Sequence, residues 1–279
     1  MHMRTYTLIL AAFAIASLYG IAGASSYLRV VEPFNATLHN GGSIYLGSDG
    51  PGQPFFINAL ANTTNSTGVL IYKGWNFMNV SGEPYGWVVE NSSKYLYTMS
   101  VELTPSPNTK PGIYAFNVTA VNVGNYSKLG AARFTAYVNI TPNVFKLSVS
   151  PSHIDSGPGQ PKSVYITINN TGVSDSPFEI SIKGLPAFNR SVEVIALHHT
   201  SREFAYQVFE NEPGSYRATM YVDSVDSPLV HKEANITLDV KASIQNDYNA
   251  LGYGNNAFPI VYEPAYAVMY FINFIAKHL

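Results

Sequence analysis

Few residues in the chain have the types and spacing that chemistry needs. The first to weigh are the adjacent His198-His199 and the acidic pair of Asp223-Ser224-Val225-Asp226. Imidazoles and carboxylates are metal ligands, but neighbouring residues on a regular strand point to opposite faces, so two adjacent histidines there do not share an ion. Asp223 and Asp226 fall in a predicted hairpin turn, where aspartate serves local hydrogen bonding as readily as calcium. A third feature is the stretch Gly50-Pro51-Gly52-Gln53-Pro54, which returns as Gly157-Pro158-Gly159-Gln160-Pro161. A phosphate cradle needs backbone amides at a helix N-terminus, and proline removes amides, so this stretch reads as a turn. The chain has no cysteine, no His-Glu-x-x-His, no Gly-x-Ser-x-Gly and no Walker loop. Those motifs carry the common hydrolytic and phosphoryl chemistries, so we expect no catalytic residue, no cofactor and no metal site, and a protein that is not an enzyme.

Aromatic residues offer a different kind of site. Trp75, Tyr85 and Trp87 lie within one short stretch, and aromatic platforms bind sugars. The competing reading places the tryptophans in a sheet core, as β-sandwiches commonly do.

The elements that would position these groups are strands. Hydrophobicity alternates with period two from residue 27 to 241, and Tyr and Phe are abundant. In Ile113 to Ala120 one face is Tyr114, Phe116, Val118 and Ala120, which puts Asn117 on the other. The same alternation separates Asn139 from Val138 and Ile140, Asn169 from Val164, Ile166 and Ile168, and Asn235 from Ile236, Leu238 and Val240. These asparagines begin Asn-X-Ser/Thr sequons, as do Asn35, Asn62, Asn65, Asn79, Asn91, Asn125 and Asn189. N-glycosylation on the wet faces is therefore expected.

Export is expected for the same chain. Arg4 precedes an apolar run from Leu8 to Tyr19, and Ala22-Gly23-Ala24 fits the small-x-small cleavage rule, so residues 1–24 read as a signal peptide. An exported chain rich in sequons but without cysteine points to an archaeal cell envelope. Only 12% of residues are charged and the net charge is -2, with no basic run, which excludes nucleic acid as a partner.

Three markers recur in order: Gly-Pro-Gly-Gln-Pro; Pro111-Gly112-Ile113-Tyr114 against Pro213-Gly214-Ser215-Tyr216; and Asn139-Ile140-Thr141 against Asn235-Ile236-Thr237. Their offsets shrink along the chain, as loops shorten, so a duplicated domain is expected. The expected fold is all-β: two tandem immunoglobulin-like β-sandwiches over 25–143 and 144–241, each with about seven short strands. Tyr114 and Tyr216, after a tight turn at the start of the penultimate strand, are candidates for tyrosine corners.

The second unit carries a resemblance. With Gly157-Pro158-Gly159, Ile166-Thr167-Ile168-Asn169-Asn170-Thr171-Gly172, Gly184-Leu185-Pro186-Ala187 and Pro213-Gly214-Ser215-Tyr216, residues 144–241 resemble the CARDB family and related sandwich modules of secreted α-galactosidases. The first unit departs from that pattern, with Asn65-Ser66-Thr67-Gly68 stretched and Gly74-Trp75-Asn76 in place of Gly-Leu-Pro. The resemblance implies an accessory or adhesive surface module and brings no catalytic residues.

Beyond a turn-rich linker at 242–256, residues 257–279 are apolar and predict a C-terminal hydrophobic helix. Phe258, Tyr262, Tyr266, Tyr270 and Phe274 recur at a spacing of four and would form one packing ridge. A start at Pro264 makes the helix too short to span a bilayer unaided, so spanning, partial insertion, docking on a partner protein and packing back on a domain of the same chain all remain open. The sequence thus points to an exported cell-surface structural or adhesive protein, membrane-anchored, with an envelope protein or glycan as further partners. A carbohydrate-binding module using Trp75, Tyr85 and Trp87, or an accessory subunit of an exported enzyme or transporter, are the alternatives.

Overall fold

The computed structural model describes residues 26–63, 74–94, 98–124, 130–187 and 190–242. The signal segment, the sequons at Asn65, Asn125 and Asn189, and the tail ridge from Phe258 to Phe274 lie outside the described residues.

Among the described residues all regular structure is β-strand, as the period-two pattern predicts. The first sandwich contains β1 (Ser26–Glu32), β2 (Ala36–Leu38), β3 (Gly42–Asp49), β4 (Phe55–Thr63), β5 (Phe77–Ser81), β6 (Val88–Glu90), β7 (Thr98–Thr104), β8 (Gly112–Val121) and β9 (Ala132–Ile140). Its sheets run β2-β1-β4-β7-β6 and β3-β9-β8-β5. The second sandwich contains β10 (Phe145–Ser150), β11 (His153–Ser156), β12 (Lys162–Asn170), β13 (Ser176–Lys183), β14 (Val192–Ala196), β15 (Ser201–Val208), β16 (Gly214–Ser224) and β17 (His231–Val240). Here the sheets run β10-β12-β15 and β11-β17-β16-β13-β14. In both, the penultimate strand is flanked by the last strand and by the strand that crosses over from the other sheet, the immunoglobulin arrangement.

The halves differ at one strand. β6 pairs with β7, but its sequence counterpart β14 pairs with β13 in the opposite sheet. The sequence comparison of Gly74 with Gly184 needs correcting at the same place. Gly184 directly follows β13 with φ +99°, and the residue directly following β5 is Gly82, with φ +76°. Gly74 lies before that strand, so the turn marker of the first half is Gly82.

Alternation builds both cores. In β8 Phe116, Val118 and Ala120 are buried and Asn117 is exposed; in β12 Val164, Ile166 and Ile168 are buried while Tyr165 faces out. Each fully buried side chain of this size contributes about 1.5–3 kcal/mol of transfer free energy. One core is centred on Phe55, Phe116 and Trp87. The other is centred on Phe145 and Phe178, whose rings lie 4.7 Å apart. Both candidate tyrosine corners form: Tyr114 donates its hydroxyl to the Lys110 carbonyl at 2.8 Å, and Tyr216 to that of Glu212 at 2.9 Å.

Candidate functional site

A set of buried polar groups converges where the two sandwiches meet. β3 and β9 run parallel and end together, Asp49 opposite Ile140, and Thr141 donates its amide to the Asp49 carbonyl at 2.8 Å. At this pole the chain makes the first Gly-Pro-Gly-Gln turn, closed by the Gln53 amide on the Gly50 carbonyl at 3.1 Å. The Gln53 side chain bends back, and its Oε1 accepts from the Gly50 amide at 3.0 Å. Its Nε2 then faces the other sandwich, donating to Ser176 Oγ at 2.9 Å and Ser224 Oγ at 3.1 Å.

The turn requires its glycines. A Cβ at Gly50 would stand 2.7 Å from Val230 Cγ2, and one at Gly52 2.8 Å from the Asp226 carbonyl oxygen. Gly52 also has φ +86°, a conformation that L side chains adopt only with strain. Gly50, Pro51, Gly52 and Gln53 are all buried.

The receiving loop is shaped by the Asn-Thr-Gly that ends β12. Asn170 is buried, donates through Nδ2 to the carbonyls of Ser174 and Ala196, both at 2.9 Å, and accepts from the Gly172 amide at 2.9 Å. Thr171 is tied to the Val144 carbonyl through its amide and its hydroxyl. These bonds present Val173, which donates its amide to the Ser48 carbonyl at 2.9 Å and buries its side chain in the core of the first sandwich. Ser174 Oγ donates to Asp49 Oδ1 at 2.5 Å.

Asp49 sets the electrostatics of this joint. It is fully buried, and burial pushes its carboxyl well above the usual carboxylate range; bonds from Ser174 and the Gly50 amide pull it down, and nearby Asp226 pushes it up. Its Oδ2 has no hydrogen-bond partner among the described residues. Asp226 is raised as well, by burial first and by Glu193 second. A joint with two carboxyls pushed upward closes best when Asp49 carries its proton.

Other sequence candidates fall into place separately. Trp75 and Trp87 are both buried, which removes the sugar platform they would form with the fully exposed Tyr85. Trp75 Nε1 donates to the Gly130 carbonyl at 2.9 Å, and the Trp87 ring packs 5.5 Å from that of Tyr114. His198 and His199 lie in the turn between β14 and β15 rather than on a strand: His198 Nδ1 is 2.6 Å from Asp175 Oδ1, and His199, at φ +52°, packs its ring edge-on against that of His198 with centroids 5.7 Å apart. Asp223 and Asp226 do not converge on one point: Asp223 stands opposite His231 in the β16–β17 ladder, and Asp226 lies in the loop over Gly52. His153, Asp155 and Asp239 come within metal-binding range of one another, but they sit on the surface with Lys241 Nζ 3.2 Å from Asp155, so an ammonium already serves these carboxylates. Of the sequon asparagines with described side chains, Asn35, Asn91, Asn117 and Asn235 are exposed, and Asn79, Asn139 and Asn169 are half-buried.

The joint was missed in the sequence because its residues carry no recognised pattern. Asp49, Ser174, Ser176 and Ser224 are ordinary turn residues singly; only the repeated glutamine hinted that the turn makes a specific contact.

No protein-family model and no curated relative matches the chain. Among solved structures, a chimeric titin Z1Z2 carrying an exogenous decorin peptide is 12% identical, with a TM-score of 0.34, over 79% of this chain and 100% of that one. The D0-D1 domain of intimin is 12% identical, with a TM-score of 0.27, over 77% of this chain and 100% of its own. Titin z1z2 in complex with telethonin is 10% identical, with a TM-score of 0.25, over 78% and 98%. Likeness at this level concerns the course of the strands alone.

Proposed function

We propose that this chain is an exported, N-glycosylated structural or adhesive protein of a cell surface, without catalytic activity, that presents two sandwiches as one stiff unit. The observation that carries the reading is the buried turn Gly50–Gln53. A spacer whose domains swing freely keeps few contacts between them, and here the joint has side chains from both units in a shared hydrogen-bond network. Stiffness suits a protein whose work is to hold loops and faces at a distance from its base.

The faces support the same reading. Tyr45 and Tyr137 stand opposite each other across β3 and β9, both exposed, and offer aromatic surface to a partner protein or glycan. Asn117 and Asn235 are exposed in the penultimate strand of the first sandwich and the last strand of the second, where a glycan would extend toward solvent. Residues 1–24 would direct export, and 257–279 would hold the chain to a membrane or membrane complex. The CARDB-like turn motifs of 144–241 and the lack of cysteine fit an archaeal envelope, in keeping with this role.

Membrane fractionation of the full chain, with and without residues 257–279, tests the anchoring. Release of the shortened chain alone supports it; a full chain that is soluble and monomeric refutes it. Glycosidase treatment of the native protein with intact mass measurement tests glycan occupancy, and an unchanged mass removes that part of the reading.

A further inference from the structure

The outward face of the sheet β3-β9-β8-β5 carries exposed aromatic and aliphatic side chains with a sequon asparagine set among them. Tyr45 stands opposite Tyr137 across β3 and β9, and Tyr137 opposite Ala115 across β9 and β8. The next row holds Ser48, Asn139 and Ile113 on the same three strands. Tyr45 is 52% exposed, Tyr137 37% and Ile113 68%. Of the residues that these four strands turn outward, Arg133 alone is charged, and it lies near the opposite end of β9 from Asn139.

Two sequon asparagines border the tyrosines, and their amide nitrogens point in different directions. Asn139 follows Tyr137 on the same face of β9, about 7 Å along the strand. It donates through Nδ2 to Ser48 Oγ at 3.1 Å. An N-linked glycan is carried on that nitrogen, so a glycan at Asn139 starts over β3, in the row beside Tyr45 and Tyr137. Asn117 lies on the other side of Ala115. Its Oδ1 accepts from Thr135 Oγ1 at 3.2 Å, and its Nδ2 lies toward Gly82, 3.6 Å from where a Cβ there would stand. A glycan on Asn117 therefore starts toward the turn after β5, away from the tyrosines.

From this geometry we infer that the glycan on Asn139 packs back on Tyr45 and Tyr137 and is the occupant of this face. This role rests on the N-glycosylation proposed above and says what one of those glycans does. The chemistry of the two surfaces matches. A sugar ring presents C–H groups on its faces and hydroxyls at its rim, so it can cover a tyrosine ring while its hydroxyls, and that of the tyrosine, stay in water. An uncharged ligand suits a face whose strands offer one guanidinium and no carboxylate. The tether matters as much as the contact: a sugar already bound to Asn139 loses little further freedom on settling, so contacts too weak to hold a free saccharide suffice. The aromatic surface is then taken up by the chain's own glycan rather than by a second molecule.

Tyrosine nitration of the full chain from its native host, read peptide by peptide in the mass spectrometer, tests this, because the same digest reports whether Asn139 carries sugar. Tyr45 and Tyr137 should react about fivefold more slowly than in Asn139→Gln, the shift that an aromatic contact of ordinary strength produces. The fully exposed Tyr85 should react alike in both. Thr141→Ala abolishes the same sequon without touching the asparagine and should release the tyrosines equally, while Asn117→Gln should leave them protected. Unchanged tryptophan fluorescence shows that each variant remains folded. Fast reaction of Tyr45 and Tyr137 on chains whose Asn139 is glycosylated overturns the inference and leaves the glycosylation reading standing; a bare Asn139 overturns both at this site. Protection that persists in the two sequon variants, or that is lost in Asn117→Gln, also overturns it, because another group then covers the face.

Discussion

Replacing Gln53 by alanine puts the joint to its most demanding test. The change removes three hydrogen bonds, one from the Gly50 amide at 3.0 Å and two to Ser176 and Ser224 at 2.9 and 3.1 Å, from a residue that is 1% exposed. The Gly50 amide is then left buried without its acceptor, which costs about 1–3 kcal/mol. The two serine hydroxyls can rotate toward other acceptors, so their share is smaller, roughly 1 kcal/mol together. The joint should therefore weaken by about 2–4 kcal/mol, a fall of about 30-fold to almost 1,000-fold in the ratio of closed to open forms. Both tryptophans belong to the first sandwich, so their fluorescence follows that unit alone, while far-ultraviolet circular dichroism follows both. In urea the two signals should change together in the wild-type chain and separate in Gln53→Ala. Coincident transitions in the variant, with an unfolding free energy changed by less than about 0.5 kcal/mol, would refute the reasoning, because a joint of that strength cannot depend on this residue.

Asp49 predicts a pH dependence. Its carboxyl is raised in the closed joint relative to an open one, so between the ordinary carboxylate range and the raised value the closed form binds more protons. Closure is strongest below the ordinary value and weakens as pH rises through the raised one; Asp49→Asn should flatten that dependence, and a joint that tightens with rising pH would contradict the assignment. Gly52→Ala must hold a Cβ at φ +86° and 2.8 Å from a carbonyl oxygen, at a cost of about 1–3 kcal/mol, seen as the same decoupling in urea. Tyr216→Phe loses one half-exposed hydrogen bond and should lower the stability of the second sandwich by about 0.5–1.5 kcal/mol in circular dichroism, with Tyr114→Phe doing the same for the first in fluorescence.

Much of the fold was legible in the sequence, and the reason is local. Alternation in Ile113–Ala120 and Ser163–Asn169 sets which side chains face the core, because a strand's side-chain period is two. Proline and glycine before Tyr114 and Tyr216 fix a tight turn, and the corner bond to the carbonyl four residues back is made within one segment. What lay beyond reading was long-range. The Gln53 amide meets Ser176 and Ser224, residues far off in sequence, and nothing in either segment names its partner. Trp87 could not be placed by type alone, since indole suits a core or a sugar platform equally; its ring contacts with Phe55, Phe116 and Tyr114 decide for the core. Gly74 misled for a related reason. A glycine near an apolar run resembles any turn, and only the strand boundaries identify Gly82 as the counterpart of Gly184.

Because the chain contains no cysteine, a pair of spin labels can be placed at will, and one distance tests the central claim. Labels at Tyr85, which is fully exposed in the first sandwich, and at Leu229, exposed in the second, report on the joint with neither side chain in its hydrogen-bond network. Pulsed dipolar spectroscopy on the full chain should give a single narrow distance distribution that broadens in Gln53→Ala. A broad distribution in the wild-type chain would show two sandwiches on a loose hinge and would contradict the stiff unit on which the proposed function rests.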